Sequence, residues 1–174
     1  MKRFSILLLA IITSTSVFAD NTKRLDKVII ENQQQFVYKY NTAGQCISKT
    51  EQEWDNDNNK WITSDKTIYA YQNKLLHTVE KLVNENGKLV PNFKKNITYT
   101  KRGKKTGSIL QQWDSKTQNW YKYHKYAWEY SKKGHLLKRI NYKWNKETQE
   151  WEKSNMEKFA YDATGNKTLK TSYQ

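Results

Sequence analysis

Three times in this chain two tryptophans enclose six polar residues: WDNDNNKW (54–61), WDSKTQNW (113–120) and WNKETQEW (144–151). Six is an even number, so the two tryptophans of each motif can face each other across a hairpin. The Asp, Asn, Ser and Thr between them are turn formers. A facing aromatic pair adds roughly 0.5–1.5 kcal/mol beyond its area burial. A chain that repeats this motif is a chain of β-hairpins clasped at their loop ends.

The motif belongs to a longer repeat. Units open on an aromatic pair at VYKYNTAGQ (37–45), IYAYQNKLL (68–76), ITYTKRGKK (97–105), WEYSKKGHL (128–136) and FAYDATGNK (159–167). The second aromatics are Tyr40, Tyr71, Tyr99, Tyr130 and Tyr161, spaced 31, 28, 31 and 31 residues apart. A glycine follows four residues later at Gly44, Gly103, Gly134 and Gly165, and the second, shorter unit lacks it. YDATGNK predicts a three-residue loop, a type I turn followed by a left-handed glycine. The tryptophan motif falls midway through each full unit. In the second unit LVNENGKL (82–89) takes its place, with Leu82 and Leu89 at the tryptophan positions.

The segments between turns have strand length and alternate. Leu89, Pro91, Phe93, Ile97 and Tyr99 share one side of their segment. So do Trp120, His124, Tyr126, Trp128 and Tyr130, and likewise Leu136, Ile140, Tyr142 and Trp144. Regular alternation places both the tryptophan row and the tyrosine row on one face. The other face is left to Lys, Glu, Ser and Asn, with Ile47, Ile68, Val79 and Leu137. No segment has a helical period. The expected fold is all-β: an antiparallel meander of about ten strands, built from ~31-residue two-hairpin repeats, as a single-layer or curled sheet. No helix or second sheet is available to cover the aromatic face.

Before the repeats, Lys2 and Arg3, the apolar ILLLAII (6–12) and SVFA (16–19) read as a cleavable secretory signal over residues 1–19. The apolar run is too short for a membrane span. Residues 20–35 are then a lead-in with a first strand, and 36–174 the hairpin repeat domain. Losing Lys2 and Arg3 lowers the net charge from +14 to +12. That suits anionic partners in the periplasm or cell exterior, although the lysines are spread along the chain. The one cysteine, Cys46, has no disulfide partner and no local base.

At YDATGN (161–166) the chain resembles the tyrosine–aspartate repeats of Rhs-type toxin shells, with Asn41, Gln72, Thr100 and Ser131 in place of the aspartate in the other units. A signal segment, ~31-residue units, tryptophan clasps and a final Y-D-x-x-G-N together resemble small secreted proteins of Bacteroides-type bacteria, a family of unknown function. The resemblance implies a secreted all-β protein and brings no active site.

The residues themselves offer little catalysis. His77, His124 and His135 are not at metal-ligand spacing, and no nucleophile or phosphate-loop motif is present. No catalytic residue, metal or cofactor is expected. A binding face is the stronger reading, drawn from Trp54, Trp61, Trp113, Trp120, His124, Tyr126, Trp128, Tyr142, Trp144 and Trp151. Aromatic rows stack sugar rings, and neighbouring lysines suit an anionic glycan. The expected partner is a protein or an anionic glycan, with no nucleic acid. Against a ligand role stands the clasp itself, because aromatic pairs at hairpin ends hold hairpins together.

Overall fold

In the computed structural model, residues 26–30 and 33–173 are described. The expected signal, residues 1–19, lies outside them. Eleven strands follow: β1 (Lys27–Ile30), β2 (Gln34–Tyr40), β3 (Cys46–Asp55), β4 (Lys60–Gln72), β5 (Leu75–Glu85), β6 (Lys88–Tyr99), β7 (Lys105–Asp114), β8 (Asn119–Tyr130), β9 (Leu136–Asn145), β10 (Glu150–Tyr161) and β11 (Lys167–Tyr173). They form one antiparallel meander in sequence order that does not close into a barrel. The short β1 makes eleven strands where about ten were expected. By contacts the chain forms two units. One takes the described residues up to Tyr69 with Lys81–Pro91, and the other takes Ala70–Glu80 with Asn92 onward.

The turns follow the side chains that begin them. In the tryptophan hairpins the residue after the first tryptophan caps the loop. Asp55 Oδ1 accepts from the amides of Asp57 and Asn58, at 3.0 and 3.1 Å. Asp114 does the same for Lys116 and Thr117, and Asn145 for Glu147 and Thr148. The loops leave through a left-handed residue, Asn59, Gln118 or Gln149. In the glycine turns, Gly44, Gly103, Gly134 and Gly165 carry the positive φ that the three-residue loop requires. Their amides donate to Asn41, Thr100, Ser131 and Asp162 carbonyls. The aspartate position tolerates change because only an oxygen acceptor is needed. Asn41 Oδ1, Thr100 Oγ1, Ser131 Oγ and Asp162 Oδ1 each accept from the amide four residues on.

The second unit of the repeat departs from the clasp pattern. Asn86 and Gly87 both have positive φ and join β5 to β6 in a two-residue turn. Such a turn sets Asn84, not Leu82, opposite Leu89, so the two leucines at the tryptophan positions do not face each other.

A further correction concerns the faces. Each tryptophan hairpin carries a bulge in the middle of its second strand. Leu110 and Gln111 pair with His124 and Lys122, leaving Tyr123 extra. Ser64 and Ser154 are the extra residues opposite Glu51–Gln52 and Asn141–Tyr142. An extra residue shifts side-chain alternation by one, so everything beyond it changes sides. In the compact unit that runs from Asn92 onward, Trp113, Trp120, Ile140, Tyr142, Trp144 and Trp151 project from one face, and Tyr99, His124, Tyr126, Trp128, Tyr130 and Leu136 from the other. In the compact unit that runs up to Tyr69, Trp54 and Trp61 share their side with Ile68, opposite Tyr38, Tyr40 and Tyr69. Two aromatic belts on opposite faces replace the single aromatic face expected from regular alternation.

A one-layer sheet buries little. Among the described residues Ile97 and Ile140 are the buried hydrophobic side chains, and none is buried completely. Support comes from interactions along the sheet. Tyr99 Oη donates to Leu76 O at 2.7 Å, and Tyr130 Oη to Lys105 O at 2.9 Å. These bonds tie successive hairpins at equivalent places.

Candidate functional site

The tryptophan belt is built as a clasp. Trp54–Trp61, Trp113–Trp120 and Trp144–Trp151 meet edge to face, with ring centroids 5.3, 5.2 and 5.0 Å apart. The rings also carry lysines from other strands of the sheet. Lys27 Nζ lies 5.9 Å from Trp61, Lys94 4.7 Å from Trp120 and Lys122 4.0 Å from Trp144. Lys125 lies 4.8 Å from Tyr142 and 6.0 Å from Trp151. The edge contacts hold each tryptophan pair to its partner, which is the work of a clasp. Seven of the ten candidate ligand-face residues, including Tyr142, therefore belong to this belt.

The remaining three, His124, Tyr126 and Trp128, lie together on the opposite face. Tyr126 and Trp128 are near parallel, with centroids 6.1 Å apart and 22° between planes, and His124 follows 6.3 Å from Tyr126. The bulge residue Tyr123 packs its ring 4.2 Å from His124. Tyr126 and Trp128 line a shallow pocket of about 280 Å³ with Leu110 and Ser108, and Lys95, Lys105, Arg139 and Asn141 complete its wall. Lys105 Nζ sits 4.7 Å from the Trp128 ring. Burial lowers the Lys105 pKa, and the charge of Lys95 lowers it further. Beside the pocket, Glu157 pairs with Arg139 and with Lys170. Hydrogen bonding from Lys170 holds the Glu157 carboxyl below its usual range; burial opposes this and Arg139 reinforces it.

Sequence reasoning missed Lys95, Lys105, Ser108, Arg139 and Asn141. Ser108 lies five residues before Trp113, an odd spacing that puts it on the face away from the clasp. Its approach to Tyr126 follows only once the bulge at Tyr123 is placed.

The histidines are scattered. His77 contacts Thr78 Oγ1, His124 Nδ1 lies 3.3 Å from Tyr142 O, and His135 packs on Tyr161 at 4.7 Å. Among the described residues no group of three His, Cys, Asp or Glu side chains is placed to hold a metal. Cys46 Sγ donates to Ser48 O at 3.4 Å. Among the described residues, no helix is long and apolar enough to cross a membrane.

Residues 10–87 match DUF3836, a family of unknown function. Among curated proteins none matches the sequence. Several solved structures are similar to this chain. A Bacteroides fragilis protein of unknown function is 14% identical and aligns over 71% of this chain and 91% of its own, with a TM-score of 0.55. A DUF3836 protein of Bacteroides vulgatus is 16% identical over 64% of this chain and 99% of its own, TM-score 0.47. Another, from Parabacteroides distasonis, is 18% identical over 49% and 78%, TM-score 0.43. The likeness to the Bacteroides fragilis protein, at this identity, concerns the fold alone. These matches do not support the resemblance to Rhs-type repeats, which rests on the local turn at Tyr161–Asn166.

Proposed function

We propose that this chain is an exported, non-enzymatic binding module, and that Tyr126 and Trp128 form the floor of its ligand site. The observation that carries the reading is this near-parallel pair of rings on a one-layer sheet, beside a pocket walled by cations. The export part rests on the basic-then-apolar start of the chain. Aromatic side chains in shallow pockets give ligands stacking area at little entropic cost. Carbohydrate is favoured over protein because the pocket is small and local, and most interfaces between proteins are far larger.

The test is calorimetry and tryptophan fluorescence of the chain from Asp20 onward, against neutral and acidic polysaccharides. Binding is expected to be lost in Trp128→Ala and kept in Trp113→Ala, with circular dichroism confirming that both fold. Binding that survives Trp128→Ala but not Trp113→Ala moves the site to the clasp belt. No binding to any polysaccharide sinks the carbohydrate reading.

A further inference from the structure

One row across four strands is unusual. Ser108 on β7 pairs with Tyr126 on β8, Tyr126 with Asn141 on β9, and Asn141 with Asn155 on β10. Paired residues of a sheet share a face, so all four side chains project from the pocket's face; Ser108, Tyr126 and Asn141 line the pocket and Asn155 lies beside it. Ser108 is only 2% exposed. Yet Ser108 Oγ, Asn141 Oδ1 and Asn155 Oδ1 have no hydrogen-bonding partner among the described residues. A buried polar oxygen left unsatisfied is costly and is rarely retained without use. Three in one row, two lying on neighbouring strands about 4.8 Å apart, ask for a ligand with several hydroxyl donors.

The charges beside the row ask for something else. Lys95 and Lys105 both line the pocket, and neither has a carboxylate partner among the described residues. Arg139 shares Glu157 with Lys170, so that cluster also keeps an excess positive charge. Two unpaired ammoniums and a half-neutralised guanidinium around one small pocket favour an anion there.

We infer that the pocket is a subsite for an acidic saccharide: Lys95 and Lys105 take a ring carboxylate, and Ser108 and Asn141 take hydroxyls of the same sugar. The inference rests on the binding-module reading and sharpens it. A uronate unit supplies one anion and adjacent hydroxyls on a compact ring, which is the combination the row and the lysines require. A sulfated sugar shares the anion. Nucleic acid shares it as well, and the experiment separates the three.

The experiment is calorimetry on the full chain from Asp20, with polygalacturonate oligomers, their methyl esters, heparin and oligo-dT as probes. Expected are tight binding of the free acid and at least tenfold weaker binding of the ester. Lys95→Gln and Lys105→Gln are each expected to weaken the acid about tenfold and flatten its salt dependence. Asn141→Leu, close in shape, is expected to weaken acid and ester alike. The inference is overturned if ester and acid bind equally, if both lysine variants bind as the parent does, or if oligo-dT or heparin outcompetes the uronate. Equal binding of neutral sugars that still needs Trp128 would overturn the acidic subsite and leave the carbohydrate reading standing. No binding of any probe overturns both. Because Lys95 is partly exposed, Lys95→Gln keeps the test readable if another variant fails to fold.

Discussion

Trp120 and Trp128 lie eight residues apart on one strand and project from opposite faces of the sheet. An even spacing would put them on the same side in a regular strand. The extra residue Tyr123 moves one of them across, and with it His124 and Tyr126. Deleting Tyr123 would carry the whole second half of β8 to the wrong face, against fixed pairing with β9. Tyr123→Ala keeps the count. Tyr123 is 47% exposed, so the substitution is expected to cost within about 0.5 kcal/mol. The deletion is expected to abolish cooperative unfolding or lower the melting temperature far more. Thermal melts of the two variants decide, and equal melting would mean that the bulge does not set the faces.

The tryptophan belt should matter for stability and little for ligand. Trp144 and Trp151 meet edge to face at 5.0 Å, an arrangement worth roughly 0.5–1.5 kcal/mol of coupling. A double-mutant cycle with Trp144→Ala and Trp151→Ala, read by denaturant unfolding, is expected to return a coupling of that size. A coupling near zero would mean that the rings do not clasp, and would reopen the belt as a binding surface.

Much of this fold was legible because the repeat is local chemistry. The glycine turns follow from a left-handed position four residues after a tyrosine, and the tryptophan loops from an oxygen acceptor after the first tryptophan. Strand order follows from short loops, which leave each strand only its neighbour to pair with. The faces were not legible. A bulge at Tyr123, Ser64 or Ser154 leaves no mark in composition, since those positions hold three polar residues that any strand accepts. It shows only as a mismatch between the length of one strand and its partner. The candidate site was legible in part for the same reason. His124, Tyr126 and Trp128 stood in the candidate set, but were grouped with tryptophans from which the bulge separates them. Ser108, Asn141 and the pocket lysines look like ordinary exposed strand residues until the register is known.

The tyrosines before the glycine turns add one hydroxyl bond to the strand pairing that joins one hairpin to the next. Tyr99→Phe and Tyr130→Phe remove only that bond, to Leu76 O and Lys105 O. Each is expected to cost about 0.5–1.5 kcal/mol. Chemical denaturation at fixed pH measures it. If both changes are neutral, the hydroxyls serve water as well as they serve the sheet.

Acid should weaken the last strands first through Glu157. Its side chain is 9% exposed and its carboxyl lies between Arg139 and Lys170. Hydrogen bonding from Lys170 and from Arg139 lowers its pKa from the ordinary 4.5, although burial opposes them. A carboxyl with a depressed folded-state value adds stability that is complete above its unfolded value and is lost as pH falls through the folded one. Glu157→Gln keeps the shape and removes the charge. At pH 7 it is expected to cost about 1–2 kcal/mol, because the partners are themselves half exposed and well hydrated. As pH falls below about 4.5, the gap between the parent and Glu157→Gln should close. The exposed turn carboxyls Asp55, Asp114 and Asp162, also lowered by the loop bonds they accept, are shared by both proteins and cancel in the difference. Urea unfolding of the pair from pH 7 to pH 3 measures that gap directly. A gap that stays constant over the whole range would mean that the lost stability is packing, and that the Arg139–Glu157–Lys170 cluster contributes nothing through its charge.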